Sequence, residues 1–138
     1  HYELTIIGHC PSPVLKRQLE AVAKELEGLN LQISTTPIPH ALIGANFTDR
    51  TIGLLPYNAN KSIENKIPTK LFEYLANRIP VLISPNKNWN PMVKEAPGSL
   101  VTDLTQPPEI DHISRCLTLK HENKSLDLKR FMWKYEEK

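Results

Sequence analysis

The chain of 138 residues is poor in the residue types that signal a special environment, with two cysteines, five glycines and three phenylalanines. Cys10 and Cys116 do not have the spacing of metal ligands, and two thiols in a chain of this length do not make a disulfide framework. No stretch approaches the roughly 20 apolar residues that cross a bilayer, and no basic-then-apolar leader stands at the start. These absences favour a reducing, cytoplasmic compartment.

A block of charge of one sign is also lacking. Seventeen Lys and Arg face fifteen Asp and Glu, the formal net charge is +2, and the charges are scattered along the chain. We therefore expect no nucleic-acid partner. The composition, 40% hydrophobic and 23% charged, is that of an ordinary globular domain with a core. Because the chain begins at His1 and enters a strand-like run within three residues, we expect it to be a fragment of a longer protein.

Short apolar runs alternate with stretches of helical period along the whole chain. The runs predicted as strands are residues 4–7, 29–33, 52–55, 79–83 and 100–101. Helical spacing is predicted near residues 14–26, 39–47, 69–77, 91–95, 110–119 and 125–135. This alternation predicts a single Rossmann-like, three-layer α/β/α domain with a mainly parallel sheet. In such sheets ligands bind beyond the carboxyl ends of the strands, here residues 8–13, 35–39, 56–69 and 84–88.

The most informative stretch is residues 68–84, with the sequence PTKLFEYLANRIPVLIS. On a helical wheel it separates into an apolar arc of Leu71, Phe72, Leu75 and Ala76 and a polar arc of Lys70, Glu73, Tyr74 and Asn77. The continuous apolar run 79–83 that follows is typical of a strand buried on both faces. Helix and buried strand together are half of a doubly wound fold.

The start of this helix has the chemistry of an anion site. Pro68 pre-sets the helical entry, Thr69 can cap, and the first backbone amides lack partners within the helix. The helix dipole would stabilise an anion there, and Lys70 adds a positive charge. Glu73, one turn further, could accept hydroxyl groups of the same ligand. The alternative interpretation is that Lys70 and Glu73 form an ordinary surface ion pair with no further role.

Residues 52–84, IGLLPYNANKSIENKIPTKLFEYLANRIPVLIS, resemble the carboxyl-terminal half of group 1 glycosyltransferases of the GT-B fold. A proline, a lysine, a glutamate followed by tyrosine or alanine and a Pro-Val strand recur there in this order. ELTIIG at residues 3–8 resembles the first strand of the same domain. FMWKYEEK at the end resembles the family's last helix, about residues 122–138, which crosses back to the amino-terminal domain.

The resemblance implies roles for individual residues. Glu73 matches the glutamate that binds the ribose hydroxyls of the donor nucleotide, and Thr69 and Lys70 would face the diphosphate. The loops at the strand ends supply further candidates. Candidate sugar or phosphate contacts are Gly8, His9, Asn58 and Lys61, and candidate base contacts are Thr36, Pro37 and Ile38. For His9 the alternative is a plain loop histidine, because no neighbour in the sequence orients it.

The chain also departs from the family pattern. Many relatives carry a second glutamate eight positions before the ribose-binding one, where this chain has Asn65 with Glu64 beside it. Asn77 and Arg78 replace the usual glycine before the strand, and we expect Asn77 to adopt the left-handed turn. The Arg and Lys that often grip the diphosphate have no matching segment.

The resemblance therefore implies the donor-binding domain of a retaining-type GT-B glycosyltransferase, which transfers a sugar from a nucleoside diphosphate carrier to an acceptor. We expect neither a permanently bound cofactor nor a metal ion, and no certain catalytic residue in this domain. Its partners would be the missing amino-terminal domain, the donor and an acceptor, with any contact to the inner face of the membrane made through the missing half. The isolated domain is expected to be inactive. Alternatives are a non-catalytic α/β nucleotide-binding or interaction domain and a GT-B-like nucleotide-sugar epimerase.

Overall fold

The computed structural model of the chain describes residues 2–58 and 62–122. They contain five strands and five helices in alternation: β1 (Leu4–His9), α1 (Pro13–Glu25), β2 (Leu29–Ser34), α2 (His40–Gly44), β3 (Gly53–Leu55), α3 (Thr69–Ala76), β4 (Val81–Ile83), α4 (Asn90–Glu95), β5 (Leu100–Val101) and α5 (Ile110–Glu122). The chain divides into two compact units, His1–Phe47 and Thr48–Lys138. Lys61 and the helix predicted at about residues 122–138 lie outside the described residues, apart from Glu122 at the end of α5.

The first unit contains one strand–helix–strand segment followed by the short helix α2. Strands β1 and β2 pair in parallel, with a register that runs from Leu4 opposite Leu29 to His9 opposite Ser34. Helix α1 connects them, and Pro13 occupies its first turn while the Ser12 side chain accepts a hydrogen bond from the Leu15 amide at 3.3 Å. The predicted strand, helix and second strand are therefore confirmed, and the Ser12 cap is a finding of the structure.

The second unit contains a three-stranded sheet in the order β3-β4-β5. Both pairings are parallel, with Leu55 opposite Ile83 and Ile83 opposite Val101. The parallel α/β class is thus confirmed in both units. We expected one mainly parallel sheet, whereas the described strands pair in two groups, of two and three strands.

The core of the second unit lies between its central strand and helices α3 and α4. The largest side chains that it buries are Leu71 and Leu75 of α3, Val81 and Ile83 of β4, and Trp89 and Val93 near α4. All three residues of β4 are buried, as the continuous apolar run predicted. Strand β3 is less buried than β4, because Leu54 is 37% exposed and only its two neighbours are buried.

Tyr74 lies on the packing side of α3, so its assignment to the polar arc was wrong. The Tyr74 side chain packs against the core cluster. Its ring lies over Gly53 so closely that a Cβ atom on that glycine would be 2.5 Å from the Tyr74 Cδ2 atom. Because Gly53 has no side chain, the Tyr74 ring can lie directly against β3, and α3 packs on this strand through the ring. Tyrosine can do this because its apolar body packs while its hydroxyl remains polar.

Helix α3 ends in a Schellman motif. The Ile79 amide donates to the Tyr74 carbonyl at 2.8 Å, and the Arg78 amide donates to the Leu75 carbonyl at 3.0 Å. Arg78 has a φ of 56°, whereas Asn77 has a φ of −91°. The left-handed residue is thus Arg78, and the expectation that Asn77 replaces the glycine was wrong. Asn77 instead caps the helix end through its side chain, which donates to the Glu73 carbonyl at 2.8 Å.

Candidate functional site

The polar side of α3 carries a short ion pair. Lys70 Nζ lies 2.6 Å from Glu73 Oε2, and the two side chains are 42% and 28% exposed. The spacing of three residues places both on one helical face, as predicted. At this exposure the pair stabilises the fold only modestly, roughly 0.2–1 kcal/mol. Both charged groups can therefore be drawn apart by a ligand that supplies better partners.

The start of α3 presents backbone donors next to Lys70. Pro68 occupies the N-cap position and Thr69 is the first helical residue, with no side-chain cap bond, so the prediction that Thr69 caps the helix was wrong. The Leu71 amide donates to the Pro68 carbonyl at 3.0 Å. Among the described residues, the amides of Thr69 and Lys70 make no hydrogen bond to the protein. No acidic side chain occupies the first turn, so these amides, the dipole and Lys70 together favour an anion.

Tyr74 lies next to this region, on the side of α3 that packs against the core. Burial raises the pKa of its hydroxyl above the ordinary value, and the nearby Lys70 charge partly offsets the rise. The Tyr74 side chain therefore stays neutral at physiological pH. Its role in the structure is to pack, and it leaves Lys70 and Glu73 as the ionised groups of this helical face.

The segment between β3 and α3 is attached to the turn that follows β4. Asn88 Nδ2 donates to the Glu64 carbonyl at 2.6 Å, and Asn86 Nδ2 donates to the same oxygen at 3.4 Å. We call these two bonds the Glu64 clasp. The side chain of Glu64 also pairs with Lys87, at 3.2 Å between Oε1 and Nζ. Because β3 and β4 are parallel neighbours, both segments lie at the carboxyl edge of the sheet, as the sequence predicted.

An aromatic pair supports the same edge. Trp89 is buried and donates from Nε1 to the Ser84 carbonyl at 2.9 Å. The Tyr57 ring lies 5.8 Å from the Trp89 ring, between centroids. Because Trp89 is buried, its role in the structure is packing rather than stacking on a ligand. Asn58, which follows Tyr57, is exposed.

The candidates of the first unit lie at the carboxyl edge of its own sheet. His9 is the last residue of β1, and its Nε2 atom lies 3.1 Å from the Thr35 carbonyl. The structure thus supplies an orienting partner that the sequence did not indicate. The Thr36 amide donates to Ser34 Oγ at 3.1 Å, which forms a tight turn. Gly8 lies in β1 with open space around its α carbon.

Of the residues singled out from the sequence, the structure places Thr69, Lys70 and Glu73 within one and a half turns of α3. Asn58 lies in the segment after β3 of the same unit. Gly8, His9, Thr36, Pro37 and Ile38 belong to the first unit, where the His9 hydrogen bond joins the two strand ends. The sequence did not indicate the Glu64 clasp, because Glu64 and its two asparagine partners are 22 and 24 residues apart.

Within residues 2–58 and 62–122, no group of three or more His, Cys, Asp or Glu side chains is arranged to hold a metal ion. No helix in these ranges combines the length and the apolar character needed to cross a membrane.

Comparison with known proteins assigns no relative: no family model matches this chain, and no curated protein or solved structure is detectably similar to it.

Proposed function

We propose that this chain is the donor-binding domain of a retaining-type GT-B glycosyltransferase, the carboxyl-terminal half of a two-domain enzyme that transfers a sugar from a nucleoside diphosphate to an acceptor. The proposal includes a three-layer α/β/α arrangement around the parallel strands. The observation that carries it is the polar face of α3. There Lys70 and two amides without protein partners stand one turn from the carboxylate of Glu73.

The chemistry of this face suits a nucleotide. Lys70 and the first amides of α3 would bind the diphosphate and stabilise it as a leaving group, as preorganised charges and dipoles do. Glu73 would accept hydrogen bonds from the ribose hydroxyls, which requires that the Lys70–Glu73 pair opens. A ligand with both an anion and a vicinal diol replaces both partners of the pair. Acceptor binding and any catalytic base would belong to the other half of the enzyme.

Calorimetric titration of the chain with UDP and GDP tests the assignment. In the Glu73→Ala variant we expect the Kd for the preferred nucleotide to rise roughly tenfold, because a charged acceptor of ribose hydroxyls is lost. UDP with a 2′,3′-dideoxyribose should bind the parent about as weakly as UDP binds the variant. Glu20→Ala is the matched control, since Glu20 forms a partly exposed pair with Lys16 on α1. Equal affinity of the parent and Glu73→Ala would contradict the site.

The same titrations separate the alternatives. A non-catalytic interaction domain would give no heat with any nucleotide of a panel. A nucleotide-binding domain without transferase activity, or a GT-B-like epimerase, would bind but form different products. Product analysis of the full-length protein with a radiolabelled nucleotide sugar distinguishes sugar transfer from epimerisation.

A further inference from the structure

Ser84 is a buried polar residue directly after the central strand β4. It is 9% exposed, and its backbone amide donates to the Leu55 carbonyl at 3.3 Å. Its own carbonyl accepts from Trp89 Nε1 at 2.9 Å. Within residues 2–58 and 62–122, however, the Ser84 hydroxyl makes no hydrogen bond. A buried hydroxyl without a partner costs free energy, so such groups are found where a water or a ligand completes the bond.

The pairing of β4 with β5 places a second hydroxyl beside the first. Ile83 lies opposite Val101, and the Thr102 amide donates to the Ile83 carbonyl at 3.0 Å. The next two residues in register are therefore Ser84 and Thr102, on strands that lie about 4.8 Å apart. Among the described residues, the Thr102 hydroxyl also has no hydrogen-bond partner. Two hydroxyl groups that the protein does not satisfy thus lie side by side at the carboxyl edge of the sheet.

This hydroxyl pair lies on the sheet face opposite α3. Val81 and Ile83 belong to the core cluster beneath α3 and α4, so the alternation along a strand directs Leu82 to the other face. Pro85 keeps the residue before it extended, and the alternation therefore continues to Ser84.

That face is open next to the hydroxyl pair. Leu54, in register with Leu82, is 37% exposed, and Pro56 is exposed as well. In the described part of the chain, the one sealed side-chain atom without a hydrogen-bond partner is His112 Nδ1, so the Ser84 hydroxyl is not closed off from solvent. A ligand can therefore reach the two hydroxyl groups over an apolar surface.

The charges around the hydroxyl pair favour a neutral ligand over an anion. Residues 56–58 and 102–109 contain no lysine or arginine, and Lys87 is paired with Glu64. Asp103 directly follows Thr102, and hydrogen bonds from the Thr105 hydroxyl and amide lower the pKa of its carboxyl group, which is therefore ionised at neutral pH.

We propose that Ser84 and Thr102 form a binding site for an uncharged sugar at the carboxyl end of β4. Serine and threonine hydroxyls both donate and accept, as sugar hydroxyls do, so each can pair with a ligand hydroxyl in either sense. The C–H face of the sugar would lie on Leu54 and Pro56. This site goes beyond the function proposed above and does not depend on the anion site at the start of α3.

NMR titration of the isotope-labelled chain with glucose, galactose, mannose and N-acetylglucosamine tests the site. We expect at least one of these sugars, at millimolar concentration, to shift the amide signals of Leu54, Ser84 and Thr102. Thr102→Val keeps the shape of the side chain and should raise the Kd roughly two- to tenfold, as for the loss of one neutral hydrogen bond. Thr118→Val is the matched control, because the Thr118 hydroxyl bonds to the Ser114 carbonyl of its own helix. It should leave the Kd unchanged.

Ser84→Ala adds a readout of stability. It should weaken sugar binding to a similar extent and leave the melting temperature unchanged or higher, because no hydrogen bond within the described protein is lost. A lower melting temperature together with no sugar-induced shift would mean that the hydroxyl holds only a buried water, which overturns the site. Thr102 is partly exposed, so its variant decides the question even if Ser84→Ala does not fold.

The outcomes are independent of the proposed function. If none of the four sugars shifts these amide signals, or if the Kd is the same in the parent, Ser84→Ala and Thr102→Val, the sugar site is refuted. UDP binding and its dependence on Glu73 are measured separately, so either proposal can fail while the other stands.

Discussion

The segments β1–α1–β2 and β3–α3–β4 share one topology, two parallel strands joined by a helix, but they bury their apolar residues to very different degrees. Helix α1 has no buried residue, and Leu15 on it is 47% exposed. Helix α3 buries Leu71 completely. Among the described strands, β4 has a neighbour on each side, whereas β1 and β2 have only each other. In this chain, burial therefore follows the number of neighbours that a strand has as well as its local apolar pattern.

The largest loss of stability should come from truncating a buried side chain in the core of the second unit. Leu71→Ala leaves a cavity beside β4, and we expect the free energy of unfolding to fall by about 2–5 kcal/mol. Leu15→Ala on α1 makes the same chemical change at a half-exposed position and should cost less than about 1 kcal/mol. Urea unfolding of both variants measures the difference. Similar losses at the two sites would mean that Leu15 is covered in solution.

A smaller effect is expected where α3 meets β3. Gly53→Ala places a methyl group against the Tyr74 ring, 2.5 Å from Cδ2, so we expect a loss of about 1–3 kcal/mol from overpacking. Gly8→Ala in β1 is the matched control, because no atom lies within 4 Å of the added carbon. The melting temperature of each variant reports the outcome. In a Tyr74→Ala background, Gly53→Ala should become nearly neutral, and an undiminished cost there would contradict the contact.

The strands and helices could be predicted from the sequence because short apolar runs are bounded by glycine and proline, for example Gly8 and Pro56. The pairing of Lys70 with Glu73 could also be predicted, because residues three apart on a helix lie on the same face. The position of Tyr74 could not, because a helical wheel treats tyrosine as polar while its ring packs over Gly53.

The Glu64 clasp could not be predicted from the sequence either. Asparagines in a turn usually bond to the backbone near them, and Asn86 does form such local bonds. The bonds from the side chains of Asn86 and Asn88 to Glu64 exist only because parallel pairing brings the ends of β3 and β4 together. A pattern within one segment carries no information about such a partner, and the same holds for His9 and Thr35 in the first unit.

The smallest effect concerns the turns that lead from α1 and from α3 into the strands that follow them. After α1 the left-handed position is taken by Gly28, with a φ of 82°, and after α3 it is taken by Arg78, with a φ of 56°. A residue with a side chain costs roughly 1–2 kcal/mol in this conformation, whereas glycine does not. Arg78→Gly should therefore raise the free energy of unfolding by up to about 1 kcal/mol, reduced by the greater freedom of glycine in the unfolded chain.

Gly28→Ala should lower the free energy of unfolding, because alanine is strained at a φ of 82°. Its new Cβ atom would in addition lie 3.3 Å from the Tyr2 carbonyl oxygen. Chemical unfolding of the two variants under the same conditions shows whether each substitution raises or lowers the free energy of unfolding. A destabilised Arg78→Gly variant would show that the arginine side chain contributes more than its backbone strain costs. Since Arg78 lies at the opposite end of α3 from Lys70, the stabilised variant should bind UDP as the parent does, which separates the stability of this helix from the chemistry proposed at its start.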